Sequence, residues 1–233
     1  MKVTLLNNTP LWVADKAIGK CWDKPTPDKL VYNEVFNEYD HIRTEPGCNT
    51  ERIERVALKH KHASTIEHLN YTFDIDSISR ACLQELARHR MASLSVKSTR
   101  YTLKELKGEK SFYLESDFKC YDTDIGKRAS KYLVFTKNDR TDHNSMLALE
   151  NLRQDLRAGV PNDLAKYCIP EAYKTSLVWT INARSLQNFL ALRTNKAALW
   201  EIRELAYEVF KQLPEEHKFL FEDSLYKEGQ EVK

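Results

Sequence analysis

The sequence predicts an α+β fold: a small mixed or antiparallel sheet flanked by helices, with a long C-terminal helix and no Rossmann architecture. Three observations lead there. Stretches with helical spacing of apolar residues are interspersed with stretches that alternate. No G-x-G-x-x-G and no P-loop occurs, so a doubly wound nucleotide-binding sheet is not expected. Glycine and proline are scarce, 6 and 7 of 233 residues, and no Pro- or Ser-rich stretch or internal repeat divides the chain. A single domain over residues 1–233 is therefore expected, and a hydrophobic content of 42% supplies one sizeable core.

Each element has its own local signal. Met1 to Leu6 reads as a short strand, and Leu11 to Cys21 as a helix. Asp23 to Asp28 contains two prolines and reads as a loop. Val31, Val35, Phe36 and Tyr39 are spaced for a helix over Leu30 to Tyr39. Thr50 to His60 gives a further helix through Ile53, Val56, Ala57 and Leu58. Leu69 to Ile75 alternates and is rich in β-formers, so it predicts a strand. Cys82, Leu83, Leu86 and Ala87 return to helical spacing over Ser79 to Met91. Ser93 to Tyr101 has few apolar anchors and predicts a loop.

Gly108 to Asn144 is charged and irregular, with a helix near Lys127 to Phe135. Ser145 to Ala158 is helical and ends at Gly159-Val160-Pro161. Pro161 then opens a short helix to Cys168. Thr175 to Ile181 predicts a strand. Asn182 is placed as the N-cap of one long helix to about Leu213, which Pro214 stops.

Charge and composition exclude several classes. Lys plus Arg number 36 against 34 Asp plus Glu, a net charge of +2, which argues against an electrostatically driven nucleic-acid binder. No run approaches the ~20 apolar residues of a spanning helix, and MKVTLLNNTPLWVADK does not read as a signal peptide. A cytoplasmic protein with no membrane partner is expected. Cys21, Cys48, Cys82, Cys120 and Cys168 are odd in number, far apart and never in a CxxC pair, which predicts reduced thiols. No G-x-S-x-G elbow is present.

Three clusters carry chemistry-bearing side chains. The densest is Arg88-His89-Arg90 followed by Ser93, Ser95, Lys97, Ser98, Arg100 and Tyr101. Guanidinium forks bind phosphate bidentately and serine hydroxyls add donors, so this segment suits an anion site. The same charges also suit a solvated surface. The second cluster is His60, His62, Glu67 and His68. Its spacings match no standard zinc pattern, so no metal site is expected. His62, Ser64 and Glu67 suit polar contacts to a bound cofactor instead. The third is Asn182, Arg184, Asn188 and Arg193. Arg184 and Asn188 are four apart and share a helix face, while Asn182 marks a helix start, where N–H groups favour an anion. Leu186, Phe189, Leu190, Ala197 and Trp200 also give that segment an ordinary core stripe.

Together these segments resemble the flavin-dependent (alternative) thymidylate synthases. That family is marked by RHR, seven residues, then Ser, which stands here as RHRMASLSVKS, Arg88 to Ser98. KHKHASTIEHLNYTF (Lys59 to Phe73) and WTINARSLQNFLALR (Trp179 to Arg193) match in the same order. The resemblance is clear over about Leu58 to Tyr101 and Gly159 to Leu213, and weak before Leu58 and over Gly108 to Asn144.

The resemblance implies reductive methylation of dUMP to dTMP. Methylenetetrahydrofolate would give the one-carbon unit, FAD would carry the hydride and NADPH would reduce the flavin. It also implies a homotetramer. By position, Arg88, His89, Arg90, His62, Ser64, Glu67, Asn182, Arg184 and Asn188 would contact FAD. Lys97, Ser98, Thr99 and Arg100 would hold dUMP, with Arg88 near it. Arg193 would polarise the uracil, as the catalytic cation.

Three positions depart from the common pattern. Val96 stands where a glutamate is usual, so its backbone must serve the site. Glu85 stands where many members have glutamine, and Lys166 where they have arginine, which loses the bidentate fork at the dUMP site. Two other readings keep part of these features. One is an NADPH-dependent flavoprotein acting on another acceptor. The other is a non-enzymatic nucleic-acid-binding module using the RHR segment and Tyr101.

Overall fold

The computed structural model describes residues 1–32, 42–113 and 123–227. The chain opens with β1 (Lys2–Asn8), α1 (Trp12–Trp22), β2 (Lys29–Tyr32) and β3 (Ile42–Glu45). Next come α2 (Thr50–Ile53), which continues as a π-helical turn over Glu54–Lys59, a 3₁₀ turn at Ala63–Ile66, and β4 (Asn70–Ser79). The middle of the chain holds α3 (Arg80–Ala87), β5 (Ala92–Val96), α4 (Thr99–Thr102), α5 (Lys104–Lys107), α6 (Asp124–Ala129) and α7 (Asp139–Arg157). It ends with α8 (Asn162–Ala165), β6 (Lys174–Asn182), α9 (Ala183–Arg193), α10 (Trp200–Lys211) and two 3₁₀ turns, Glu215–Leu220 and Glu222–Ser224.

The fold is α+β, as the periodicities require. β1, β4, β6 and β5 form one antiparallel sheet in that order. β2 and β3 form a second, antiparallel pair, with Lys29 opposite Glu45 and Tyr32 opposite Ile42. Alternation explains β4 and β6: Tyr71, Phe73, Ile75, Leu177, Trp179 and Ile181 are buried, and the residues between them are not. The hydroxyls of Thr72 and Thr180 lie 3.0 Å apart on the less buried side.

Packing separates two compact units that interleave in sequence. One is Met1–Val3, Asp74–Arg90 and Leu94–Trp179; the other is Thr4–Phe73, Met91–Ser93 and Thr180–Lys233.

The first unit is built on α7. Met146, Leu149, Leu152 and Leu156 give that helix an apolar stripe, packed with Leu103, Leu106, Phe112, Ala129, Leu133, Ala165 and Tyr173. Asn138 caps α7 by accepting from the Thr141 N–H at 3.0 Å. The buried Asp142 carboxylate accepts from the Thr136 N–H, the Thr136 hydroxyl and the Lys137 N–H, at 2.8, 2.9 and 3.0 Å. Lys137 has φ 65, so these bonds fix a left-handed residue before the helix. The expected start at Ser145 is therefore six residues late, because polar residues 139–144 hide a helical turn that side chains hold together. The helix expected near Lys127 to Phe135 lies at Asp124–Ala129, capped by Thr123, and Leu133 bridges to Tyr173 instead.

In the second unit, Arg52 ties α2 to α1 and to the following loop. Its guanidinium donates to Asp15 Oδ1 at 2.7 Å, to the Asp15 carbonyl at 3.0 Å and to Thr26 Oγ1 at 2.8 Å. Gly47 is required beside this loop, since a Cβ there would stand 1.9 Å from the Pro27 carbonyl oxygen. α9 packs against α10, the Ala63–Ile66 turn and the Glu222–Ser224 turn.

Three further expectations fail, each for a tertiary reason. Lys29–Tyr32 is strand, not helix, because it pairs with Ile42–Glu45; the rest of that expected helix, residues 33–39, lies outside the described residues, as does Cys120. Ser93 to Tyr101 is not a loop: β5 and α4 occupy it, and the Lys97 N–H donates to the Ser176 carbonyl at 2.8 Å. The long helix from Asn182 breaks into α9 and α10. At the break the Thr194 hydroxyl donates to the Leu190 carbonyl at 2.7 Å and accepts from the Tyr226 N–H at 2.9 Å. Asn195 Oδ1 accepts from the Ala197 N–H at 2.9 Å, a local turn that competes with helix continuation.

Tyr71 Oη and His217 Nδ1 are 2.7 Å apart and both residues are buried. Burial pushes the His217 pKa down. His217 then stays neutral in the folded chain to lower pH than in the unfolded one. The unfolded chain binds the extra proton below about pH 6.5, so folding stability falls as pH drops through that value. Urea unfolding at pH 7.5 and 5.5 is expected to show this loss, and His217→Gln to show less of it; an identical pH slope in the variant would contradict the assignment.

Candidate active site

The candidate residues divide between the two units, and each set is described by itself. In the first unit, α3 is capped by Ser79, whose hydroxyl accepts from the Cys82 N–H at 3.0 Å. Its end delivers Arg88 and Arg90 to the surface and buries His89. Glu85 lies 3.7 Å from Arg88, one helical turn away. The carboxylate that replaces the usual glutamine thus has a partner within the RHR segment itself. Arg90 and Arg100 have no carboxylate partner among the described residues, so their charge is available to an anion.

β5 ends at Val96, which is 40% exposed. Ser98 is the N-cap residue of α4, yet its hydroxyl makes no capping bond. α4 packs against α8, and Asn162 Nδ2 donates to the Arg100 carbonyl at 2.8 Å. This contact brings Thr99 and Arg100 beside α8, which Lys166 directly follows. Asn162 is a positioning residue that no local pattern reveals, since 62 residues separate the partners. Lys166 is exposed and Lys97 is exposed. Lys97 lines a cavity with Ser77, Thr102, Lys131, Lys174 and Ser176, whereas Ser98, Thr99 and Arg100 do not line it.

In the second unit, the π-helical turn Glu54–Lys59 and left-handed Lys61 (φ 55) turn the chain out at His60. His62, Ser64 and Glu67 follow, all exposed. Asn182 caps α9 by accepting from the Ser185 N–H at 2.9 Å, as its position in the sequence predicts. Arg184 and Asn188 are exposed on one face of α9. Arg184 Nη1 lies 2.6 Å from Glu67 Oε1. Both partners are solvated, so the pair contributes only ~0–1 kcal/mol; its use is to hold Arg184 over the Ala63–Glu67 turn. Arg193 is the last residue of α9 and is half-buried, on a different side from Asn188. Among the described residues, no group of three or more His, Cys, Asp or Glu side chains could hold a metal ion.

The second and third sequence clusters therefore meet in one unit, through the Arg184–Glu67 contact. In the other, the α4 end of the first cluster lies beside α8, which Lys166 follows. Each unit offers exposed cations and amides in an arrangement suited to phosphate and heterocycle recognition.

Comparison with known proteins shows which family the chain belongs to. The family model described as thymidylate synthase complementing protein matches residues 14–217. A flavin-dependent thymidylate synthase of Wolinella succinogenes is 53% identical over 221 residues, covering 95% of this chain and 97% of the relative. The Campylobacter jejuni enzyme of the same name is 51% identical over 232 residues, covering 98% and 99%. A crystal structure of thymidylate synthase X from Helicobacter pylori, with FAD and dUMP, superposes with a TM-score of 0.81 at 46% identity and covers 97% of this chain and 100% of that one. The RHR segment, the His62–Glu67 turn and the capped α9 thus occur in a chain that belongs to the flavin-dependent thymidylate synthase family.

Proposed function

We propose that this protein makes dTMP from dUMP by reductive methylation, with methylenetetrahydrofolate as one-carbon donor, FAD as cofactor and NADPH as reductant. The observation that carries this reading is the intact RHR-to-Ser segment in a chain 46% identical, over nearly its whole length, to a protein crystallised with FAD and dUMP. Bound FAD supplies hydride chemistry that no side chain offers.

The residues present fit such a group. Arg184 and Asn188 are exposed beside the capped start of α9, and His62, Ser64 and Glu67 stand on the turn that α9 packs against. With Arg88, His89, Arg90 and the Val96 backbone, they form the set assigned to FAD. Lys97, Ser98, Thr99 and Arg100, with Arg88, Glu85 and Lys166, are assigned to dUMP. Ser98 binds rather than attacks, because among the described residues no base is hydrogen-bonded to its hydroxyl. Arg193 holds a permanent positive charge beside the uracil, where it stabilises negative charge developing on the ring.

The same reading assigns the chain to one domain, since the family match runs across both compact units. It also assigns a homotetramer in the cytoplasm. Among the described residues no helix is long and apolar enough to cross a membrane.

The visible absorption spectrum tests the proposal. Purified protein is mixed with FAD, freed of unbound flavin and titrated with dUMP. Retained flavin bands that shift with dUMP are the expected result. Retained bands with no response to dUMP would favour a flavoprotein with another acceptor, and no retained flavin in folded protein would overturn the reading. Ser98→Ala is expected to weaken dUMP binding about tenfold, the loss of one hydrogen bond to a charged group, with FAD retention unchanged. Equal loss of both ligands, read by the same titration, would remove Ser98 from the dUMP set.

A further inference from the structure

A cavity of about 180 Å³ lies wholly within the first unit, lined by Ser77, Lys97, Thr102, Glu105, Lys131, Tyr132, Tyr173, Lys174, Thr175 and Ser176. Its walls are polar: three lysines, six hydroxyls and one carboxylate. We infer that this cavity binds one small oxyanion of phosphate size, at a site that shares only Lys97 with the set assigned to dUMP.

The backbone around it is fixed. The Lys174 N–H donates to the Tyr132 carbonyl at 2.7 Å, and the Lys174 ammonium to the Ser130 carbonyl at 2.5 Å. The Lys97 N–H donates to the Ser176 carbonyl at 2.8 Å. Lys97 directly follows β5 and is exposed. Ser77 has φ 62, a left-handed conformation costly for a serine, and the buried–exposed alternation of β4 breaks at Asp76–Ser77. That break is the signature of a bulge, a device that redirects a side chain at a site.

Charge balance selects the ligand. Lys131 lies 3.9 Å from Glu109, a solvated contact too long to neutralise it. Lys97 has no acidic partner among the described residues. Among the described residues Glu105 is the only carboxylate in the lining, against three ammonium groups. Tyr132 is directed elsewhere, since its hydroxyl donates to Glu109 at 3.0 Å. The Thr102 hydroxyl donates to the Ser98 carbonyl at 3.1 Å; the hydroxyls of Ser77, Tyr173, Thr175 and Ser176 are donors of the kind that complete an oxyanion shell. Size excludes larger ligands: 180 Å³ holds about six waters, below the ~300 Å³ at which pockets for drug-sized molecules begin. The occupant is a free ion or the anionic end of a larger molecule.

The test is thermal unfolding of the flavin-loaded protein with inorganic phosphate, at ionic strength held constant with chloride. A saturable rise in Tm of about 3 °C is expected, absent in Lys97→Gln/Lys131→Gln. Both lysines are exposed, so the variant keeps its core. The rise is expected to persist in Arg100→Ala and under saturating dUMP. No rise over chloride, or an equal rise in the lysine variant, would overturn the site. A rise abolished by dUMP or by Arg100→Ala would place the phosphate in the nucleotide site and overturn it equally. An inactive flavin spectrum would bear on the thymidylate synthase reading alone. Repeating the titration with citrate distinguishes the sources: a response to phosphate but not citrate supports a free ion, and a response to both supports an anionic tail.

Discussion

Arg193→Ala is expected to lower dUMP methylation by about 10²–10³-fold or more, with FAD retention and fold unchanged. Arg193 ends α9, and alanine is the best helix former, so the backbone loses little. The lost attraction between a cation and the helix C-terminus is worth only ~0.3–1 kcal/mol. What disappears is a permanent charge at the place where the reading puts the uracil. A neutral ring carbon is a weak nucleophile, and an anion developing on the ring needs a fixed counter-charge that does not titrate. The loss should therefore appear in kcat rather than only in KM. Arg193→Lys should recover part of it, because charge returns without the planar fork. Steady-state assays of dTMP formation, with flavin content measured in parallel, check both variants. Turnover near that of the unaltered enzyme would withdraw the catalytic assignment.

Glu150→Ala is expected to destabilise the fold by about 3–5 kcal/mol. Glu150 and Arg153 are one turn apart on α7 and both are buried. Glu150 accepts from Arg153 at 2.9 and 2.7 Å, from the Phe112 N–H at 2.8 Å and from Gln154 at 2.9 Å. Arg153 also donates to the Glu109 carbonyl at 3.2 Å. The pair thus fastens residues 109–112 to α7, beneath the segment that carries Phe112 into the core. Removing the carboxylate strands a guanidinium and a backbone N–H away from water, which is the costly way to break such a pair.

The hydrogen bonds from Arg153 hold the Glu150 pKa down to about 2, against a smaller opposing effect of burial. A carboxyl lowered in the folded state stabilises above its unfolded value of ~4.3, and that stability drains away as pH falls toward about 2. The amount is about 3 kcal/mol, consistent with the mutational figure. Urea unfolding measures both. A change below about 1 kcal/mol would show that the pair behaves like a surface contact. Replacing both residues with leucine or methionine should restore much of the loss, since no buried charge is then left alone.

The motifs to which the proposed chemistry is assigned were legible because they are short and continuous. RHR-to-Ser, the His62–Glu67 turn and Asn182–Arg193 each keep their residues within about one element, so their spacing carries the signal. The N-cap role of Asn182 follows from local geometry alone, and the structure places the cap there. The contact between Arg184 and Glu67 was not legible, because 117 residues separate them. The same holds for Asn162 beside Arg100, and for Lys131 and Lys174 beside Lys97. No periodicity joins such pairs; the sheet and the packing of helices do.

The sequence by itself determined the fold class, the buried faces of β4 and β6, the absence of a glycine-rich dinucleotide loop and the order of the three motifs. These follow from side-chain period and from residue chemistry, which act within a few positions. Only the tertiary structure decided that Lys29–Tyr32 is a strand, that Ser93–Tyr101 is strand then helix, and that the helix after Asn182 breaks at Thr194. In each case a hydrogen bond to a distant residue outcompetes the local preference: Lys29–Tyr32 finds Ile42–Glu45, Lys97 finds Ser176, and Thr194 finds Tyr226. Local propensity is worth tenths of a kcal/mol per residue. A buried backbone group left without a partner costs about 1–3 kcal/mol, so the long-range partner decides.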